Sequence, residues 1–173
     1  PTTYARMGRF GSPYAQLDLT GIDPALVEFD KRTTGVQQFR ELADGVHLRD
    51  GSVPASRVRT IAPAGFLVGR SVHAVDAARE AERDGGCDYL LFGTVFQSES
   101  KPSGHPVAGL EQLALVCRSV RLPVVAIGGV TAAHVPAIAR TGAAGIAAIG
   151  LFKDADAAAR VVASVRQAFD TRS

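Results

Sequence analysis

The chain has 173 residues, 46% of them hydrophobic and 21% charged, with 19 basic against 17 acidic side chains and a formal net charge of +2. That length suits one main domain with a substantial core, and the composition excludes a disordered polymer. No apolar run approaches the roughly 20 residues that a membrane span needs, and the basic residues are scattered, so neither a membrane nor a nucleic acid is an expected partner.

Residues 1–41 contain no continuous β-branched run and no βα rhythm. They read as an irregular segment with one short helix near 24–30, and the domain proper is expected over 42–173. From residue 42 onward, β-rich runs alternate with stretches whose apolar residues recur at helical spacing, which predicts parallel βαβ units. The expected strands are "GVHL" (45–48), "GFLVGRS" (65–71), "DYLLFGTVF" (88–96), "PVVAIGG" (123–129) and "AGIAAIG" (144–150). Between them, Ala74, Ala77, Ala78 and Ala81 make one apolar helix face at i, i+3, i+4 and i+7, and Leu110, Leu113, Ala114 and Cys117 make another. Gly85–Gly86 and Gly142 stand where a residue tolerating positive φ ends a helix. A last helix over about 154–169 packs Val161, Val162, Val165 and Phe169.

Candidate chemistry collects at the carboxyl ends of these strands. "PVVAIGGV" and "GAAGIAAIGLF" each close a buried strand with glycine, and in parallel barrels the loops after the last two strands commonly hold a phosphate on backbone N–H groups. Gly128, Gly129, Ile149 and Gly150 are therefore a candidate phosphate cradle; the same glycines also serve a plain strand-to-helix turn. His73 follows the strand "GFLVGRSV", where an imidazole can exchange a proton near neutral pH or simply bond a backbone carbonyl. Ser98, Ser100 and Lys101, in "FQSESKPSGHP", offer hydroxyls and a cation to an anionic group, although a solvated loop has the same composition. His105 and His134 receive no role. Cys87 and Cys117 lack CxxC or Cys/His ligand spacing and no leader opens the sequence, which together point to the cytoplasm. Paired carboxylates and metal-ligand clusters are missing from the pattern.

In order along the chain, "ADGVHLRDGSVP", "VGRSVHAVDAAREAERDGGCDYLLFGTVFQSESKPSGHPVAGLEQL", "LPVVAIGGV" and "GAAGIAAIGLF" resemble the thiamine phosphate synthase/TenI superfamily over residues 42–169, about three-quarters of the sequence. The resemblance implies a (β/α)8 TIM barrel of which strands four to eight are recognisable, and a phosphorylated thiazole as ligand. In the synthase branch a metal-binding aspartate lies five residues after the histidine of "GVHL"; Ser52 stands at that position here, with Asp50 nearby. The thiazole tautomerase (TenI) branch reads "GRSVH", as residues 69–73 do, and by that resemblance His73 is the acid/base of the ring. The family's strands two and three cannot be placed within residues 1–41, so the expectation is a barrel incomplete at its N-terminus or one in which that segment replaces strands one to three, and an uncovered edge at "GVHL" would favour a homo-oligomer.

The leading expectation is a tautomerase that aromatises a carboxythiazole phosphate by proton transfer at His73, without cofactor. The second is thiamine phosphate synthase, joining hydroxymethylpyrimidine diphosphate to thiazole phosphate, with Mg²⁺ near Asp50 and Lys101 at the departing diphosphate. The third is a non-catalytic phosphate-ligand binder or regulatory remnant.

Overall fold

The computed structural model describes residues 44–98, 104–152 and 155–171. The irregular segment expected over 1–41, with its short helix near 24–30, lies outside the described residues. The chain divides into two compact units, residues 1–45 with 62–66 and residues 46–61 with 67–173. In the first, a turn brings the Phe66 N–H to the Pro63 carbonyl at 3.2 Å.

Among the described residues, the second unit carries the sheet and the helices, with β1 entering it at residue 46. Its strands are β1 (Gly45–Leu48), β2 (Leu67–Val72), β3 (Tyr89–Phe92), β4 (Val124–Ile127) and β5 (Gly145–Ala147). The helices are α1 (Ala55–Arg59), α2 (Val75–Asp84), α3 (Gly109–Ser119), α4 (Val135–Ala139) and α5 (Ala155–Asp170), with 3₁₀ turns at Ala132–His134 and Gly150–Phe152. The strands lie in the order β1-β2-β3-β4-β5. Gly69 pairs with Tyr89, Leu90 with Val124 and Val125 with Gly145, all parallel.

That order rises without a reversal, whereas a doubly wound sheet turns back at a switch point. Right-handed crossovers in a rising order return every helix to the same face. The architecture is thus a parallel α/β sheet wound in the sense of a barrel, and among the described residues β1 and β5 remain the two ends of the order rather than neighbours. The sequence expectation is met in its α/β class and in its five recognisable strands, all of which fall among the described residues.

Alternation along the strands divides the sheet into two unlike faces. Val72, Leu90, Phe92, Val124 and Ala126 form one core with Ala78 and Ala81 of α2, Leu113 and Val116 of α3, and Ile138 of α4. The other face carries Ser71, Tyr89, Leu91, Val125 and Ile127, all half-buried. Helix α2 is amphipathic because small alanines recur toward the sheet, and it stops at Gly85, whose φ of 73° suits glycine. Glu82 then ties its last turn to the loop between α3 and β4, one carboxylate oxygen accepting the N–H groups of Arg121 and Leu122 at 2.6 and 3.2 Å. Asp88 anchors the start of β3, accepting the Val68 N–H at 2.6 Å and pairing with Arg59, whose Nε donates to the Gly86 carbonyl at 2.8 Å.

The third expected strand, 88–96, ends at Phe92. Its apolar tail is real, since Val95 is buried, but Gly93–Ser98 forms the rim instead of a strand. Helices α1 and α4 span five residues each, too short to leave a periodic signature.

Phe92 has no solvent exposure, so Phe92→Ala should destabilise the fold by about 3–5 kcal/mol, read as a lowered urea midpoint. A loss under about 1 kcal/mol would show that the core has collapsed around the cavity.

Candidate functional site

The described residues among those singled out at strand ends stand on one rim, beyond the carboxyl ends of β2 to β5, where parallel β/α proteins place their chemistry. His73 follows β2, Ser98 ends the described segment after β3, Gly128 and Gly129 follow β4, and Ile149 and Gly150 follow β5. Ser100 and Lys101 lie outside the described residues. Ser98 is half-buried.

His73 is exposed, and its Nδ1 meets the Gly93 carbonyl across the β2–β3 rim. A carbonyl only accepts, so Nδ1 carries the proton and a neutral ring leaves Nε2 bare toward solvent. The bond joins the two readings that the sequence held apart: the imidazole ties down a loop and still presents one acceptor nitrogen.

The first half of the cradle has an internal reason for its glycines. Gly128 and Gly129 sit at φ 100° and 61°, and a β-carbon on them would lie 2.6 Å from the Thr94 methyl and 2.6 Å from the Phe96 carbonyl oxygen respectively. The loop after β3 is packed against them and hydrogen-bonded alongside, Val95 N–H to Ile127 O at 2.9 Å and Phe96 N–H to Gly128 O at 3.0 Å. Gly150 differs, since its φ is not positive and no atom of the described chain fills the space beside it. Ile149 projects its side chain into solvent at 84% exposure. The β5 end of the rim is therefore the open half.

Asp50 is exposed on the turn after β1, and Ser52 closes that turn, its hydroxyl accepting the Arg49 N–H at 3.0 Å. No cluster of three His, Cys, Asp or Glu side chains suited to a metal occurs among the described residues. The described donors therefore do not make a Mg²⁺ site: one exposed carboxylate stands alone, and the serine beside it is spent on its own turn.

Three residues that the sequence analysis did not single out meet on the half-buried face of the sheet. His47 of β1 lies between two hydroxyls, with Nε2 2.9 Å from Ser71 Oγ and Nδ1 3.2 Å from the Tyr89 hydroxyl. Gly69 makes the room, because a β-carbon there would come within 2.6 Å of His47 Nδ1 and overlap the Tyr89 phenol. Burial pulls the His47 imidazole below the usual histidine value of 6.5, and burial, with Asp88 adding to it, pushes the Tyr89 phenol up. The lone glycine in "LVGRSV" was the available signal, since glycine inside a strand marks a close approach.

A parallel five-stranded sheet with its helices, glycine loops and a histidine beyond the strands' carboxyl ends defines a protein of the α/β class. The sequence profile described as thiamine monophosphate synthase matches residues 39–152, and the chain belongs to that family. A thiamine-phosphate synthase of Methanocella arvoryzae is 46% identical over 121 residues, covering 68% of this chain and 57% of that protein. One from Roseiflexus castenholzii is 40% identical over 126 residues, covering 71% and 55%. Among solved structures, thiamine phosphate pyrophosphorylase from Pyrococcus furiosus superposes with a TM-score of 0.62 at 35% identity, covering 74% of this chain and 60% of that one. The chain thus spans somewhat more than half the length of the relatives it matches.

These relatives overturn the expectation of a thiazole tautomerase, because those matched across most of the described chain carry the synthase name. The physical reason is that "GRSVH" encodes a strand end with a histidine bonded to the neighbouring loop, a local device that does not specify a reaction.

Two outcomes follow from the geometry. Gly129→Ala should lower stability by about 1–3 kcal/mol, because it strains a left-handed backbone and drives a methyl into the Phe96–Gln97 carbonyls; an unchanged urea midpoint would show that this loop yields freely. For His47, the folded state binds its proton below the unfolded value of 6.5, so its contribution is complete above about pH 6.5 and is lost as pH falls from there toward the folded value. Urea midpoints at about pH 7.5 and about pH 5 should therefore differ less for His47→Gln than for the parent chain; equal differences would remove His47 from the acid response.

Proposed function

We propose that this chain contributes to the coupling of hydroxymethylpyrimidine diphosphate to thiazole phosphate, the reaction of thiamine phosphate synthase, within a (β/α)8 barrel framework. The carrying observation is the match to synthases along residues 39–152, together with a carboxyl rim that gathers His73, Gly128, Gly129, Ile149 and Gly150. In the coupling, the bond from the pyrimidine methylene carbon to the diphosphate oxygen breaks, and the thiazole nitrogen supplies the electron pair for the new C–N bond. The chain's part is to bind and orient. Backbone N–H groups at Ile149 and Gly150, on the open half of the rim, receive the thiazole phosphate, since anions favour unpaired backbone donors. His73 Nε2 offers an acceptor to the bound molecule, with the ring held by its bond to Gly93.

The test supplies the full chain with both substrates and excess Mg²⁺ and follows thiamine phosphate. Product formation is expected, with kcat/KM falling about tenfold in His73→Phe, which loses the acceptor. Thiazole phosphate binding without any product would replace this reading with that of a phosphate-ligand binder; neither binding nor product would remove both.

A further inference from the structure

His47, Ser71 and Tyr89 come from three adjacent strands and meet on the sheet face below the rim. A neutral imidazole has one N–H and one bare nitrogen, so one of the two hydroxyls must donate to the ring and the other must accept from it. A phenol is a stronger acid than an aliphatic alcohol, which makes it the better donor, and its lone pairs are drawn into the ring, which makes it the poorer acceptor. Tyr89 therefore donates to Nδ1, the proton resides on Nε2, and Nε2–H donates to Ser71 Oγ. The Ser71 hydroxyl hydrogen is then directed away from the ring.

Nearby charges leave this order undisturbed. Asp88, next to Tyr89, is held by Arg59 and the Val68 N–H, and Arg70, next to Ser71, donates to the Ser52 and Val53 carbonyls at 3.4 and 3.1 Å. Burial favours the neutral forms of both rings.

We propose that Tyr89 and His47 are positioning residues that order the protons so that Ser71, two residues before His73, is fixed as a hydrogen-bond donor to the molecule bound at the rim. This rests on the proposed function only for the presence of that molecule. Gly69 is part of the device, since any side chain there displaces the phenol from the imidazole.

Nitrogen-15 spectra of the full chain, with the His47 ring assigned by its disappearance in His47→Gln, test the order directly. The expected result is the tautomer protonated at Nε2 with Nδ1 accepting, replaced in Tyr89→Phe by a mixture or by the other tautomer. A parent ring protonated at Nδ1 overturns the proposal. Thiazole phosphate, titrated alone into the same proteins, should bind about tenfold more weakly to Tyr89→Phe and to Ser71→Ala, and the double variant should lose little more than either single one. His47→Gln, whose amide can bridge both hydroxyls, should retain more affinity than His47→Leu. Additive losses overturn the relay. Should the parent chain bind no thiazole phosphate, the proposed function falls, and the ring spectrum still decides the proton order.

Discussion

Two backbone hydrogen bonds beyond the ends of β3 and β4, from Val95 to Ile127 and from Phe96 to Gly128, set where everything on the rim stands. They carry the pairing of the two strands past the point where the strands end, so the loops leave the sheet as a joined pair. Val95 is buried beneath that junction, and His73 reaches across from β2 to bond the first residue of the same loop. On the far side, the Phe96 ring stacks on the His134 imidazole at 3.8 Å and 12°, and His134 Nδ1 accepts the Thr131 N–H at 3.3 Å. Each contact is worth only about 0.5–1.5 kcal/mol, but all of them fix one loop from several directions.

Much of the fold was legible because the helix face of the sheet is written in short, uninterrupted β-branched and aliphatic runs. "GVHL" became β1 with its bounds unchanged, and Gly85 and Gly142 are left-handed at 73° and 91°, where the helices were expected to stop. The misplaced end of β3 has a plain cause: Val95 is as apolar and as buried as a strand residue, and burial, not backbone conformation, is what hydrophobic runs report. His134 was passed over because its stacking depends on Phe96 arriving from another loop, which no local spacing reveals, while its cap on Thr131 three residues earlier is local.

The site was legible in its position and less so in its chemistry. Strand ends identified the rim, since alternation of strands and helices fixes which ends carry loops toward it. The reason for a glycine is a question of neighbours: Gly128 and Gly129 accommodate the loop after β3, whereas Gly150 stands against open space. His47, Ser71 and Tyr89 escaped notice because 42 residues separate the first from the last, and only parallel pairing in register brings them side by side. The synthase name attaches to relatives matched along most of the described chain, where one five-residue stretch had pointed to a sister activity.

Gly69 and Tyr89 face each other in register on neighbouring strands, and the phenol occupies the volume that a β-carbon at 69 would need. The two positions therefore share one fixed allotment of space. A descendant of this sequence that acquires a side chain at 69 must move or surrender the aromatic ring at 89, and one that loses the ring leaves a hollow at 69 that a small residue can fill. Drift at either position is bound to drift at the other, so the history of the pair should be recorded as exchanges of volume across the strands rather than as independent substitutions.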